Sequence, residues 1–261
     1  MMRDVAAQSD NRGITVDRVG VRDIHLPVMI REKDGGMARV LGEFDVSVQL
    51  PHHERGTHMS RFVEILSEWS RQPVATDEIR QMLEQIRSAF KAEAAQLQLT
   101  FKYFLEKDSP ASGLTSSLDY DCLFAGQIRD DDYRFTLGAT VPIMTLCPCS
   151  KEISDYGAHS QRAQLTVRLR SSGDFLIWLE DLVPLLEQQG SYEVFPVLKR
   201  ADEKVVTEAA YDNPKFVEDV VRDTVLALRA LATLTYFSVE CKSYESIHNH
   251  TAYAYAETGG E

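Results

Sequence analysis

The chain has 261 residues, of which 44% are hydrophobic and 26% charged, so it can bury the core of one large domain or of two smaller ones. Its formal net charge of −12 excludes a general nucleic-acid-binding surface, although a small anionic ligand could still bind a local basic pocket. No segment approaches the roughly 18 apolar residues of a membrane span, and four cysteines are too few for a disulfide framework. We expect a cytoplasmic protein, without membrane or nucleic-acid partners, whose cysteines are thiols or metal ligands.

Residues 1–14 predict a flexible tail, because they carry charges and no apolar run. Alternating apolar and polar positions then predict three strands, around Phe44, Val46, Val48 and Leu50, around Leu99, Phe101 and Tyr103, and around Leu118, Tyr120, Cys122 and Phe124. Between the first two of these, a helical period predicts one helix over 60–69 and a second that Thr76 caps. The apolar face of the second helix comprises Ile79, Leu83, Ile86 and Phe90.

The second half repeats the alternation around Leu165, Val167 and Leu169, around Tyr236, Phe237 and Val239, and around Tyr253 and Tyr255. A helix is predicted over 174–188, with Pro184 kinking or breaking it. Asn213 and Pro214 are typical of a helix start, and an apolar stripe follows them at Val217, Val221, Thr224, Leu228 and Leu231.

This order predicts an α+β fold of two tandem ββααββ units with antiparallel sheets, over residues 15–129 and 130–258. The acidic turn from Arg129 to Asp132 would join the last strand of one unit to the first strand of the next. A short echo between the segments beginning at Gly56 and Gly157 does not support a duplication, since the first is expected to lead into a helix and the second into a strand.

The segment LCPCSKEISDYGAHSQR, residues 146–162, carries the first candidate site. Cys147 and His159 offer the thiolate and imidazole ligands that zinc-type ions favour. The alternatives are that Cys147 and Cys149 are small buried hydrophobes, or that they form a redox pair. The redox interpretation is the weakest, because thiol oxidoreductases use C-x-x-C at a helix start and no helix is expected after these cysteines.

Two further segments extend the candidate set. LKRADEKVVTE, residues 198–208, is either a solvated charged loop or a source of one carboxylate ligand. ESIHNHTAYAY, residues 245–255, places His248 and His250 two residues apart, on one face of a strand or its approach, where they are either surface residues or ligands. Together these segments offer a thiolate, up to three imidazoles and a carboxylate, which suits an open catalytic metal site better than a closed structural one.

The runs CPCSKEISDYGAHSQR, LKRADEKVVTEAAYDNPKFVEDVVRD, SIHNHTAYAYAE and GTHMSRFVEIL together resemble the type IB GTP cyclohydrolase I family of bacterial folate synthesis. Two positions depart from the pattern, with Ala201 where proline is expected and Thr251 where serine is expected. The resemblance implies tunnelling-fold (T-fold) units that assemble with other chains into barrels, here as a homotetramer with active sites at interfaces.

The resemblance also implies the site residues. Cys147 and His159 would be metal ligands, Glu203 and His248 would complete or adjoin the metal shell, and Glu218 would anchor the guanine base. Cys147 and His248 would act in catalysis, with His248 alternating between ligand and proton carrier. The candidates for triphosphate contacts are Lys151, Arg162, Lys199, Arg200 and Lys204.

The reaction implied is the metal-dependent conversion of GTP and water into 7,8-dihydroneopterin triphosphate and formate, with zinc, manganese or iron as the metal. Two other functions are considered at this stage. One is a different reaction in a purine- or pterin-binding T-fold enzyme, since fold does not determine function. The other is a non-catalytic protein in which Cys147, Cys149 and His159 hold a structural zinc.

Overall fold

The computed structural model describes residue 6, residues 8–172 and residues 177–259. In its first half the chain forms, in order, β1 (Val16–Arg31), β2 (Met37–Leu50), α1 (Met59–Trp69), β3 (Pro73–Val74), α2 (Thr76–Phe90), β4 (Ala94–Asp108) and β5 (Thr115–Arg129). In its second half it forms β6 (Asp132–Leu146), α3 (Pro148–Ile153), β7 (Ser160–Ser171), α4 (Leu179–Glu187), β8 (Tyr192–Glu193), α5 (Arg200–Asp212), α6 (Val217–Arg229), β9 (Leu234–Tyr244) and β10 (Thr251–Thr258). This is the predicted α+β fold.

The residues group into two compact units. One comprises the chain up to Lys102 together with Leu123–Leu137, and the other comprises Tyr103–Cys122 together with the chain from Gly138 onward. β4, β5 and β6 therefore each supply residues to both units. The boundary predicted between tandem sequence units, at 129/130, concerns the order of elements and stays a prediction.

In the first unit the strand order is β3-β1-β2-β4-β5-β6, with β1 antiparallel to β2 from the pair Val16 and Leu50 to the pair Arg31 and Met37. Helices α1 and α2 pack on β1 and β2, respectively. The predicted alternation is confirmed at Phe44, Val46, Val48 and Leu50, which are buried while the residues between them are more exposed. Phe62 of α1 stacks on Phe90 of α2 at 4.0 Å between ring centroids, which joins the two helices.

The second unit has the strand order β4-β5-β6-β7-β9-β10, with β8 paired to β6. β7 runs antiparallel to β9, and β9 runs antiparallel to β10. α6 packs over β9 and β10 through the predicted stripe, in which Val217, Val221, Thr224 and Leu228 are buried. Between β7 and β9 there are three helices instead of the predicted two, because residues 200–212 form α5 and not a loop.

Three predicted helices begin at different residues in the structure. α2 starts at Thr76 with Ala75 as its cap, and the Ala75 N–H donates to the Glu78 carboxylate at 2.9 Å. Asn213 ends α5 and does not open α6, which begins at Val217. The predicted helix over 174–188 starts at Leu179 among the described residues, whereas 174–176 lie outside them.

Pro184 does not end α4, which continues to Glu187 with Pro184 inside it.

The flexible N-terminal tail stays a prediction, and the structure describes only part of it. Positions 1–5 and 7 lie outside the described residues, but Asp10 N–H donates to His53 C=O at 2.9 Å and Arg55 N–H donates to Gln8 C=O at 3.1 Å. This part of the predicted tail is therefore attached to the fold.

Across residues 8–172 and 177–259, every helix is too short or too polar to cross a membrane.

Candidate active site

Cys147 and His159 lie at the two ends of a closed loop in the second unit. The Cys147 N–H donates to the His159 C=O at 3.1 Å. The Ser150 hydroxyl strengthens this closure, since it donates to the Cys147 C=O at 3.1 Å and accepts from the His159 N–H at 3.1 Å. The structure therefore joins the backbones of Cys147 and His159, whose ligand roles stay a prediction.

Cys147 also begins a helix that the sequence analysis did not expect. α3 follows it directly, and the Cys147 Sγ accepts a hydrogen bond from the Ser150 N–H at 3.4 Å. Pro148 takes the first helical position, where a missing N–H removes no intrahelical bond. Cys149 is exposed on this helix, and all four cysteines are free thiols as expected.

The His159 side chain is half-buried at the start of β7, where its Nδ1 lies 2.9 Å from Gln161 Oε1. Ser246, in the loop between β9 and β10, places its hydroxyl 3.5 Å from the same Nδ1. The segment that contains His248 therefore reaches the Cys147–His159 loop. His248 itself is exposed, and its ring stacks on His250 at 5.1 Å between centroids with an interplanar angle of 14°.

Glu203 is exposed in the first turn of α5, on the helix that replaces the predicted loop. Its neighbour Asp202 is fully buried and accepts four hydrogen bonds, from the N–H groups of Ala111 and Ser112 and from the Ser112 hydroxyl, each at 2.7 Å, and from the Lys199 N–H at 2.8 Å. Asp202 thus ties the start of α5 to the tip of the β4–β5 hairpin and determines where the backbone of Glu203 lies.

These contacts determine the ionisation of Asp202. Burial acts to raise its pKa, but the hydrogen bonds from Ser112, Lys199 and Ala111 outweigh burial and hold the pKa well below the ordinary value of 3.8. A carboxylate in this position gives rigid anchorage, because all the groups that face it are donors.

Glu218 is exposed in the first turn of α6, one residue after the buried Val217. The segment that leads into α6 is held next to Cys147, because the Lys215 N–H donates to the Leu146 C=O at 3.1 Å. Burial, together with the nearby charges of Glu218 and Glu240, raises the pKa of Cys241 to about 12. Glu218 therefore lies close to β9, at the same end of the unit as the Cys147 loop.

The candidate triphosphate cations are distributed around this region. Arg162, Lys199 and Arg200 are exposed, whereas Lys204 forms an ion pair with Glu208 at 2.8 Å. Lys151 contacts Tyr211, with its Nζ 4.2 Å from the ring centroid.

Within the described part of the chain, no three His, Cys, Asp or Glu side chains are gathered closely enough to form a metal cluster. Of the predicted set, Cys147 and His159 are joined through their backbones, and Glu203 and His248 are not gathered with them. The donor chemistry of the backbone-joined pair, one thiol and one imidazole, suits a zinc-type ion.

Sequence reasoning overlooked three residues of this region, namely Ser150, Gln161 and Asp202. A signal was present for Gln161, because it lies two residues after His159 at the start of a strand and so shares its face. For Ser150 and Asp202 the signal is tertiary, since both act through hydrogen bonds that close a loop or join distant segments.

Comparison with known proteins identifies the family. The sequence profile described as "Type I GTP cyclohydrolase folE2" matches residues 2–254. A protein named GTP cyclohydrolase FolE2 from Geobacter sulfurreducens is 46% identical over 256 residues, which cover 98% of each chain. The chain belongs to the type I GTP cyclohydrolase FolE2 family. A protein of the same name from Nitrosococcus oceani is 45% identical over 256 residues, which cover 98% of this chain and 95% of that one.

As a member of the FolE2 family, the chain is a GTP cyclohydrolase, a hydrolase of folate biosynthesis. This confirms the general identity implied by the sequence motifs. It also selects GTP cyclohydrolase over the two alternative functions, a different purine or pterin reaction and a non-catalytic zinc protein.

Solved structures support the fold of the FolE2-family chain. A uricase from Arthrobacter globiformis superposes with a TM-score of 0.56 at 9% identity, covering 94% of each chain. Urate oxidase from Bacillus sp. TB-90 gives a TM-score of 0.56 at 7% identity, covering 94% of this chain and 100% of that one. At such low identity the likeness shows the fold alone, and it confirms the predicted tunnelling-fold architecture.

We predict that Asp202→Asn lowers the thermal unfolding midpoint of this FolE2-family protein at neutral pH. Either orientation of the amide turns an NH2 group towards a backbone N–H, which leaves a buried donor unpaired. Because the folded-state pKa of Asp202 is lowered, its contribution to stability is fully present above pH 3.8 and is lost as the pH falls towards the folded-state pKa. The difference in midpoint between wild type and variant should therefore narrow below pH 3.8.

Asp212→Asn provides the matched control, because Asp212 is exposed at the other end of the same helix. Its unfolding midpoint should equal that of the wild type. Equal midpoints for Asp202→Asn and wild type above pH 3.8 would contradict the anchoring role.

Proposed function

We propose that the chain converts GTP and water into 7,8-dihydroneopterin triphosphate and formate at a centre built on Cys147 and His159. The observation that carries this proposal is the closed loop that joins these two residues, in a chain that belongs to the FolE2 family. Within type I cyclohydrolases we place the chain in the subdivision IB, on the motifs quoted from the sequence. We further propose that the enzyme acts in the cytoplasm.

A divalent metal is part of the proposal. Cys147 and His159 would hold it, with Glu203 and His248 completing or adjoining the shell. Mixed thiolate, imidazole and carboxylate ligands accept zinc, manganese or iron. When bound, such an ion would make a water acidic enough to act near neutral pH as the nucleophile that hydration of the purine at C8 requires.

His248 is proposed to move protons during ring opening. Its imidazole is exposed, and this is the side chain most often used as a general acid and base, so it would protonate a purine nitrogen and later take the proton back. The stacked ring of His250 restricts the orientation of His248. Cys147 acts here as a ligand, and no proton transfer is assigned to it.

Glu218 is proposed to anchor the guanine base. Its position in the first turn of α6 leaves the carboxylate exposed, and two acceptor oxygens match the N1 and N2 hydrogens of guanine. The exposed cations Arg162, Lys199 and Arg200 would contact the triphosphate, whose charge requires basic partners in a protein of net charge −12.

We also propose a homotetramer in which strands of neighbouring chains close the barrels. β10 is at one end of the strand order, and among the described strands only β9 pairs with it. Its side chains Tyr253 and Tyr255 are 72% and 52% exposed. An open edge with exposed aromatic residues is stabilised by pairing with another chain. We predict a tetramer in sedimentation, and a stable, active monomer would contradict this assembly.

We predict that Cys147→Ala and His159→Ala each lose bound metal and GTP turnover while keeping the far-UV circular dichroism of the wild type. The physical reason is that each substitution removes one ligand atom and leaves the backbone bond between residues 147 and 159 in place. Metal content by elemental analysis and formate release would be measured together. Cys149→Ala is the matched control, and normal metal content in either ligand variant would exclude that residue from the site.

We predict that Glu218→Gln keeps its metal but loses GTP affinity and turnover. Glutamine replaces one acceptor oxygen with an NH2 donor that would face a guanine donor, at a cost of about 1 to 3 kcal/mol per unpaired group. Calorimetric titration of the metal-loaded variant with GTP measures this loss.

His248→Ala serves as the comparison in the same titration. It should slow formate release more than it weakens GTP binding, provided that metal stays bound. Unchanged GTP binding by Glu218→Gln would remove its anchoring role, and metal loss in that variant would place Glu218 in the coordination shell.

A further inference from the structure

A continuous chain of hydrogen bonds runs from Glu245 to the imidazole of His159. Ser243 Oγ lies 3.0 Å from Glu245 Oε1, and Thr145 Oγ1 lies 3.2 Å from Ser243 Oγ. Gln161 Nε2 lies 3.1 Å from Thr145 Oγ1, and His159 Nδ1 lies 2.9 Å from Gln161 Oε1. The chain thus connects β9, β6 and β7 below the loop that holds Cys147.

The carboxylate at one end determines the direction of these bonds. An ionised carboxylate only accepts, so the Ser243 hydroxyl must donate to Glu245. Because Ser243 has used its one proton, it accepts from Thr145, and Thr145 in turn accepts from an amide N–H of Gln161. The NH2 group of Gln161 therefore faces Thr145, and its carbonyl oxygen faces His159.

This orientation leaves one possibility for the imidazole when it is neutral. An amide oxygen cannot donate, so His159 Nδ1 must carry the hydrogen and donate it to Gln161 Oε1. Nε2 is then unprotonated and has a free lone pair. The neighbouring Ser246 hydroxyl is compatible with this state, since it can donate to Gln161 Oε1 at 3.5 Å while it faces the same Nδ1–H.

The two hydroxyl groups in the middle of this hydrogen-bond chain are buried, so each of them needs hydrogen-bond partners within the protein. Thr145 and Ser243 are 1% and 0% exposed, and an unpaired hydroxyl there would be costly. Among the described residues, the only buried side-chain polar atom without a partner is Thr233 Oγ1, which lies outside this chain. Reversal of one bond would leave two donors or two acceptors facing each other, so the links reinforce a single direction.

We propose that Gln161 and Glu245 are positioning residues that hold His159 in the Nδ1–H tautomer and present Nε2 as its ligand atom. The tautomer follows from the hydrogen bonds alone, whereas the ligand role of Nε2 rests on the proposed function. Metal-binding histidines commonly donate their second ring N–H to a polar partner, which orients the ring and raises its basicity.

The tautomer can be read directly by nuclear magnetic resonance of the metal-free protein with 15N-labelled histidine. Long-range 1H–15N spectra distinguish a protonated ring nitrogen from an unprotonated one, and the His159 signals are identified by their loss in His159→Ala. The spectra are recorded at about pH 8.5, well above the pKa of about 6.5 of histidine in model peptides. We expect a protonated Nδ1 and an unprotonated Nε2, and the opposite pattern would overturn the proposal.

Substitutions of Gln161 separate orientation from simple packing. Gln161→Leu removes the acceptor, so the Nε2–H tautomer should become populated. Gln161→Glu restores an acceptor that cannot donate and should return the signals to the Nδ1–H pattern. Glu245→Ala removes the terminal acceptor and should also populate the second tautomer, because the hydroxyls and the amide can then reverse. An unchanged Nδ1–H pattern in both Gln161→Leu and Glu245→Ala would overturn the positioning role.

The proposed ligand role of His159 Nε2 is tested by measuring zinc affinity in competition with a chromophoric chelator. Gln161→Leu should weaken zinc binding by about 10- to 100-fold, and Gln161→Glu should restore it. Gln164→Leu is the matched control on the same strand, since it loses only the contact with Tyr244 and should bind zinc normally. Wild-type zinc affinity in His159→Ala would contradict the proposed metal site. The tautomer of His159 would still be decided separately, by the nuclear magnetic resonance spectra.

Discussion

The site depends first on the closure of the loop between residues 147 and 159. One backbone hydrogen bond and the Ser150 hydroxyl join the main chain at Cys147 to the main chain at His159, although eleven residues separate the two in the chain. Because both contacts use backbone groups, they hold the positions of the two residues independently of their side chains. The side chains have partners of their own, the Ser150 N–H for Cys147 Sγ and the Gln161 amide for His159 Nδ1.

Buried charged groups near the turn of the β4–β5 hairpin are the second feature on which the structure depends. Lys107 forms ion pairs with Glu187 at 2.7 Å and with Glu193 at 2.8 Å, and Tyr120 donates to Glu187 at 2.9 Å. Burial raises the pKa of Glu187, although Lys107 and Tyr120 oppose that rise. Together with Asp202, these groups anchor the hairpin to the segment that leads into α5. Buried charges are tolerated when they are paired in this way.

The sequence is informative where apolar periodicity decides the structure. The strands around Phe44, Leu99 and Leu165 alternate cleanly because one face of each is buried, and the stripe of α6 was predicted for the same reason. The charged run at 198–208 was predicted as a loop because it lacks a clear apolar stripe. The structure explains this, since α5 buries only Asp202, Val206 and Ala210, of which one is a carboxylate. Its helix is stabilised by tertiary hydrogen bonds that a single sequence does not display.

The same distinction applies to helix ends and to the site. Asn-Pro is typical of a helix start, yet the structure uses Asn213 to bind the carbonyls of Gly190 and Ser191 at 3.1 Å. Asp219 performs the capping role instead, by accepting from the Phe216 N–H. Of the predicted ligands, Cys147 and His159 could be placed together from the motif, whereas the positions of Glu203 and His248 depend on α5 and on an exposed loop.

The interleaving of the two compact units has a consequence for the order in which the chain can acquire structure during synthesis. Residues 103–122 are made before 123–137, yet the first group belongs to the second unit and the later group to the first. The first unit therefore has all its residues only after Leu137 is made, and the second must wait for β10. A fragment cut after Arg129, at the predicted boundary between sequence units, would lack 130–137 of the first compact unit and carry 103–122 without their partners. The chain therefore cannot be divided into two independent halves at that point.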